Sequence, residues 1–366
     1  MRGFLRSGLQ FVLPTLLVCL LMLEGGLRAS GRLPSNMTEG LFEQHGSAYR
    51  LRKNFTKVSR TPSFTTTIHT NEFGLRDKAP GPRNLKDVRY VAWVGDSLTF
   101  GNGVDYEDSF VGVFGLLAER QQIEVVNLAV GGFHLSESEE LLYDFLDSTP
   151  AQPTTVAFVV TVPAVATFEE RYSDLMIKDG YIFKKNHWLV PYVIVRLGNG
   201  SAAYCFFRDA IRKIQARLFP SGSPAVDQEL DLFSTRGHWG RPDAPARFEA
   251  RLARLEERVR RSGAKLVYVY LPSAVDLRAP DLLKQRGLPA ANFNFDLFRD
   301  LLQRHAARTK TEFVDTSPAL RAEYGKGKPL SFLQDPHYNV ETNRVIGNAL
   351  YEAMIEKGAQ ALRATP

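Results

Sequence analysis

The chain has 366 residues, 44% hydrophobic and 23% charged, a balance that supports a buried core and excludes a wholly disordered chain. The formal charge of +6, from 46 basic and 40 acidic residues, is modest, and no basic stripe interleaves with aromatics, so a nucleic-acid partner is not indicated. Cys19 and Cys205 are the only cysteines, and neither CxxC nor HExxH occurs, which leaves a disulfide framework and a zinc site without support.

The N-terminus, "MRGFLRSGLQFVLPTLLVCLLMLEGGLRAS", sets Arg2 and Arg6 ahead of an apolar run that ends near Leu23. Residues 1–28 are read as a membrane anchor or signal segment: a single-pass anchor with the bulk of the chain extracytoplasmic, or a cleaved signal of a secreted protein. Residues 29–65 are polar and irregular and read as a stalk. "FTTTIHTNEFGLRDKAP" (64–80) alternates like an edge strand before a Pro/Gly loop. Residues 88–95 form a continuous apolar strand, followed by "GDSLTFGNGV" and a helix over 108–121. A second strand at 123–130, a helix at 136–148 capped by Ser136, and a third strand at 154–162 follow. Residues 171–244 break the rhythm with a hairpin in "GYIFKKNHWLVPYVIVRL" and a helix in "AAYCFFRDAIRKIQARLF". That insertion is either a cap that shapes a substrate cleft or structural elaboration. Helices at 245–261 and near 293–308, strands at 264–272 and 311–316, and a terminal helix near 340–358 complete the chain. Strands alternating with helices, several of them apolar throughout, predict an α/β domain over 66–360 with a parallel sheet covered on both faces.

Four segments then meet at the carboxyl edge of that sheet. They are Gly95-Asp96-Ser97-Leu98, "NLAVGGF" with Gly131 and Gly132, the residues after the third strand, and "FLQDPHYN" before the last helix. A serine hydroxyl attacks an acyl carbon once a base takes its proton, histidine suits that role, and a carboxylate orients the histidine. Ser97, His337 and Asp335 supply these groups. Backbone N–H groups at Ser97 and at a glycine such as Gly132 suit a developing oxyanion.

On these residues the chain resembles the SGNH/GDSL hydrolases: Gly95-Asp96-Ser97-Leu98 resembles their first block, "NLAVGGF" their second and Asp335/His337 their terminal block. "TNEFGLRD" (70–77) is similar to a segment ahead of the first block in membrane-anchored members. The resemblance implies a flavodoxin-like three-layer fold and a serine-dependent ester hydrolase or O-acyltransferase. It implies Ser97, Asp335 and His337 as catalytic residues, Gly132 as oxyanion donor, and no metal or organic cofactor. Combined with extracytoplasmic placement it implies an acylated glycan or other ester as substrate, beside envelope polysaccharide machinery. The alternatives are a lipid-directed esterase and a catalytically decayed binding protein. Two departures stand out. Where the family's third block places an asparagine, this chain runs into "TVPAVATFEE" with Ala164 or a neighbour at the matching position and no asparagine nearby, and one missing donor typically costs about 100- to 1000-fold in rate. The D-x-H spacing is the shorter form, similar to that of polysaccharide O-acetyltransferases.

Other residues carry structural expectations. Asp96 is read as a turn former, Asn127 as a structural hydrogen bonder, and Asn71, Gly74 and Arg76 as buttresses at the site entrance. Asn102 is a polar group the site could recruit. His134 and His187 are read as surface groups. Trp188, Tyr192, Phe206 and Trp239 could stack on sugars, although packing is their ordinary role.

Overall fold

The structure is a computed structural model and describes residues 2–34, 40–46, 48–162, 168, 174–218, 230–235, 243–332 and 335–356. The strands are β1 (Phe42–His45), β2 (Ala48–Leu51), β3 (Thr56–Arg60), β4 (Thr65–Thr70), β5 (Arg76–Asp77), β6 (Arg89–Val94), β7 (Ile123–Asn127), β8 (Thr155–Thr161), β9 (Leu175–Lys178), β10 (Tyr181–Lys184), β11 (Lys265–Leu271) and β12 (Glu312–Asp315). The helices are α1 (Arg2–Ala29), α2 (Ser97–Phe100), α3 (Phe110–Ala118), α4 (Leu135–Ser148), α5 (Leu189–Gly200), α6 (Ala202–Leu218), α7 (Asp243–Arg261), α8 (Ala274–Leu277), α9 (Ala279–Arg286), α10 (Leu297–Thr309), α11 (Ser317–Gly325) and α12 (Val340–Tyr351).

The central sheet has 8 strands in the order β12-β11-β8-β6-β7-β5-β4-β3. Its parallel part, β12-β11-β8-β6-β7, has the 2-1-3-4-5 order of flavodoxin-like sheets when numbered along the chain. The strand order reverses at β6, so the crevice beyond the β6 carboxyl end is where such a sheet opens to a ligand.

Period-two alternation explains why these strands are apolar throughout. Tyr90, Ala92 and Val94 of β6, with Phe158 and Val160 of β8, face one core, which α4, α7 and α10 cover with Leu142, Phe248, Leu252 and Leu302. Val91 and Trp93, with Val159 and Val269, face the other, where α3 and α12 supply Phe110, Phe114, Ile346 and Leu350. Three layers follow. On the second face, a Cβ on Gly347 would stand 2.7 Å from Val113 and 2.9 Å from the Phe110 carbonyl, so α12 approaches α3 more closely than any side chain permits. Asn343 of α12 accepts from Phe110 N (3.1 Å) and donates to the carbonyl of Tyr338 (3.0 Å), which fixes the loop before α12 against α3.

Several expectations are corrected. Residues 41–60, expected as stalk, form β1, β2 and β3, and Leu41, Phe42, Tyr49 and Leu51 are buried in the first core. The 64–80 segment lies inside the sheet as β4 and β5, and β3 takes the edge. The hairpin expected within "GYIFKKNHWLVPYVIVRL" is instead made by β9 and β10, because "LVPYVIVRL" places Leu189, Val190, Val193, Ile194 and Leu197 on a helical stripe and folds as α5. Ser136 lies inside α4, whose cap position is His134, and Glu139 pairs instead with Arg251 at 2.8 Å.

The N-terminal segment is the largest difference. Residues 2–29 form one helix, yet among the described residues no helix is long and apolar enough to cross a membrane. The membrane-spanning expectation is therefore not supported. The apolar run ends at Glu24, which is taken into the protein: it accepts from Ser201 Oγ (3.0 Å), Ala202 N (3.0 Å) and Ala203 N (2.8 Å) at the start of α6. Arg28 adds a 2.6 Å contact to Glu24 and donates to the Gly200 carbonyl at 2.7 Å. Burial raises the Glu24 pKa, but these donors outweigh it and hold the carboxyl down at about 2.

Gly347→Val is expected to cost about 1–3 kcal/mol by overpacking the α3–α12 contact, read as a lower Tm. The Glu24 carboxyl titrates at about 2 in the folded chain against 4.5 ordinarily, so the unfolded chain binds the extra proton between those values. Its contribution is thus complete above about pH 4.5 and is lost as pH falls through about 2. Hydrogen exchange at the Ala202 and Ala203 amides should stay slow down to mildly acidic pH, and Glu24→Gln should speed it at neutral pH.

Candidate active site

The β6 strand stops at Gly95, and a Cβ there would fall 2.3 Å from Thr99 Oγ1, so the turn into α2 admits no side chain. Asp96 caps α2: its Oδ1 accepts from Leu98 N at 2.9 Å and its Oδ2 accepts from Thr161 Oγ1 at 2.5 Å. Burial pushes the Asp96 carboxyl above its ordinary value, against the lowering effect of the Thr161 and Leu98 bonds. The aspartate thus ties the ends of β6 and β8 together and leaves the next residue, Ser97, at the first position of α2.

The second half of the site comes from the loop before α12. Tyr338 is buried and its hydroxyl donates to the Pro272 carbonyl beyond β11, so this loop is held at the same sheet edge. Asn339 caps α12 by accepting from Thr342 N at 2.9 Å. Asp335 accepts from the main-chain N–H of His337 at 3.0 Å, a tight turn that brings both side chains to one side.

His337 Nε2 stands 2.8 Å from Ser97 Oγ, and His337 Nδ1 stands 2.5 Å from Asp335 Oδ1. Three side chains from segments 240 residues apart thus make one hydrogen-bonded line. Burial raises the Asp335 carboxyl, but the His337 side-chain and main-chain donors outweigh this and place it below its ordinary value. With Asp335 ionised, Nδ1 carries the proton and donates it to the carboxylate, so Nε2 accepts from the Ser97 hydroxyl. Asn102 Nδ2 lies 3.1 Å from the same Nδ1.

Gly131 and Gly132 follow β7 and line the same cleft as Ser97, Asn102 and His337. Gly132 has a φ of +84°, a left-handed conformation that glycine adopts without strain. The cleft has a volume of about 490 Å³, and its remaining walls are apolar. Leu41, Phe42 and Tyr49 come from the β1–β2 hairpin, while Tyr181, Phe183 and Val195 come from the insertion. The insertion thus takes the cleft-shaping role expected of a cap, whereas the β1–β2 contribution was not legible in the sequence, because four-residue strands carry no periodic signal.

No protein-family model matches the sequence, and no curated protein matches it. Solved structures with a similar chain path include TesA, 12% identical with a TM-score of 0.42 over 73% of this chain and 99% of that one. The acetyl xylan esterase AlAXEase is 13% identical with a TM-score of 0.39 over 73% and 100% of the two chains. The psychrotrophic esterase EstA from Pseudoalteromonas sp. is 13% identical with a TM-score of 0.40 over 74% and 99%. Likeness at this level carries no weight for activity or substrate, which are argued below from the distances around Ser97.

The other expected residues fall as follows. Arg76 is 1% exposed and donates to the carbonyls of Phe100, Gly101 (2.6 Å) and Val104 (2.5 Å), clamping the loop behind Ser97. Burial lowers its pKa to about 10, so it stays cationic at neutral pH. Asn71 donates to Asp77 at 3.0 Å and accepts from Phe73 N and Leu75 N, which shapes the turn ahead of β5. Gly74 has a φ of +72° in that turn. Asn127 donates to the Thr99 carbonyl at 3.0 Å and is structural. His187 is exposed ahead of α5, and neither it nor His134 lines the cleft. Trp188, Tyr192 and Phe206 lie on α5 and α6 or at their ends and are not among the cleft residues. Ala164 and Trp239 lie outside the described residues. Among the described residues no cluster of His, Cys, Asp and Glu is arranged to hold a metal ion.

Arg76→Leu would leave those three carbonyls without their donor. A single unsatisfied buried group costs about 1–3 kcal/mol, so the variant should show a Tm loss together with slowed reaction at Ser97.

Proposed function

We propose that this chain is a serine-dependent ester hydrolase of SGNH/GDSL type, with Ser97 as nucleophile, His337 as general base and Asp335 as its orienting carboxylate. The observation that carries the reading is the unbroken line from Asp335 through His337 to Ser97, at 2.5 and 2.8 Å. Ser97 Oγ attacks the ester carbonyl carbon as its proton passes to His337 Nε2. The Nδ1–H bond to Asp335 holds the ring in place and stabilises the imidazolium. Main-chain N–H groups of Ser97 and Gly132 meet the developing oxyanion. The C–O bond to the alcohol then breaks, His337 returns the proton to that oxygen, and an acyl-Ser97 ester remains. Water, deprotonated by His337, releases the acid and restores the hydroxyl.

Without the third-block asparagine, this oxyanion site works with main-chain donors, and a rate about 100- to 1000-fold below that of a site with every donor is expected. The apolar walls built by Leu41, Phe42, Ile68, Phe183 and Val195 suit an apolar acyl chain. They offer little hydrogen bonding to a sugar, so the acylated-glycan and O-acyltransferase readings, with their envelope machinery, are the weaker ones. Water is the acceptor the cleft favours.

A fluorophosphonate probe should label the wild-type chain at Ser97, and p-nitrophenyl esters should turn over, longer acyl chains in preference to acetate. Ser97→Ala should abolish labelling and cut turnover at least about a thousandfold with Tm unchanged, and Asp335→Asn should cut it by roughly 10⁴-fold. A folded wild-type chain that neither labels nor turns over would make this a binding protein built on a decayed site.

A further inference from the structure

A broad exposed apolar surface lies beside the catalytic cleft. On α5, Leu189, Val190, Val193, Ile194 and Leu197 are all exposed, with Val190 at 68%. At about 100° per residue these five share one side of the helix, and Val195 falls on the opposite side. Val195 is the α5 residue that lines the cleft with Ser97 and His337. One helix is therefore both a wall of the active site and an outward apolar face. The next helix, α6, continues that surface with Phe206, Phe207, Ile211 and Ile214 exposed.

Helix α1 joins the same surface. It is fastened to the start of α6 through Glu24 and Arg28, and Leu27 packs with Ala202 and Ala203. Its Leu16, Leu17, Val18, Leu20, Leu21 and Met22 are exposed. Consecutive residues point to successive sides of a helix, so these cover its circumference rather than one face. A helix with apolar residues on successive sides presents some of them to a bilayer surface at any roll angle. The rim has the composition of a lipid headgroup boundary. Trp188 and Tyr192 sit at the start of α5 with Lys178 Nζ 5.1 Å from each ring, and exposed Lys184, Lys185 and Arg196 add positive charge. The nearby acids are engaged: Asp179 accepts from the Tyr192 hydroxyl at 2.7 Å, Asp174 accepts from Asn186 at 3.1 Å, and Asp209 pairs with Arg208 at 3.0 Å.

We propose that the α5–α6 hairpin and the adjoining surface of α1 lie on an anionic lipid bilayer, and that the cleft draws its acyl ester from that bilayer across α5. The second half rests on the ester-hydrolase reading; the first does not. This is docking onto a surface, with the interfacial helices lying in the headgroup region.

The test uses the full chain carrying Trp239→Phe, so that emission comes from Trp188 and from Trp93, which is fully buried. Vesicles of phosphatidylglycerol and brominated phosphatidylcholine should quench Trp188. The double variant Val193→Glu/Ile194→Glu should lose that quenching while hydrolysing p-nitrophenyl acetate in solution as before. It should also lose hydrolysis of a long-chain p-nitrophenyl ester presented in the vesicles. Ser97→Ala should remain quenched, which separates failure of the docking from failure of the chemistry. Three results overturn the proposal: a chain that floats with the vesicles while Trp188 is unquenched; a double variant quenched like its parent; or a vesicle-free dimer that the double variant disperses, which would mean a second copy covers this surface.

Discussion

The hydrogen bond between His337 and Ser97 depends on almost everything else in the molecule. Its two ends belong to loops that share no local structure, and a displacement of about 1 Å would remove it. What holds the distance is the sheet. The β6 strand delivers Ser97 to the point where strand order reverses. Tyr338 pins the His337 loop to the end of β11, two strands away. The contact of α12 with α3, made close by Gly347, sets the height of that loop above the sheet. Core packing and site geometry are therefore one problem in this protein, and a change in either is felt in the other.

Polar burial around the site follows the same logic. Asn127, Arg76 and Asn343 are buried and Asp96 is half-buried, and each bonds main-chain groups of a loop that would otherwise be free to move. Each satisfies backbone groups that burial would leave costly, and together they hold Ser97 and His337 before any ligand arrives. Asp335 differs in kind: it bonds the side chain that would react, and its lowered pKa keeps it an acceptor.

The parallel strands and the meeting of Ser97, His337 and Asp335 were legible in the sequence for physical reasons. A strand buried on both faces, such as "RYVAWV", has no polar position to hide, and a D-x-H turn before a capped helix leaves a recognisable spacing. Of the cleft walls, the insertion was legible as a cap, while the β1–β2 wall and the helical form of α5 were not. Residues 41–60 look polar because β1 shows only Phe42 to the core and exposes the next three residues. The stretch "VPYVIV" is rich in β-branched residues and suggests a strand, yet the stripe from Leu189 to Leu197 made it helical. Sequence pattern reported what each segment buries along its own length; it could not report which distant segment would close over Ser97.

The division between β6, which carries Ser97, and the surrounding walls has a consequence for ligand choice. Leu41, Phe42 and Tyr49 arrive from a hairpin ahead of the parallel sheet, and Tyr181, Phe183 and Val195 from a segment spliced between β8 and β11. Leu41, Phe42 and Tyr49 also belong to the first core, yet both segments lie outside the five parallel strands that position Ser97 and His337. A side-chain change facing the cleft from either wall therefore alters what a ligand touches while leaving in place the Asp96, Tyr338 and Asn343 bonds that set the Ser97–His337 distance.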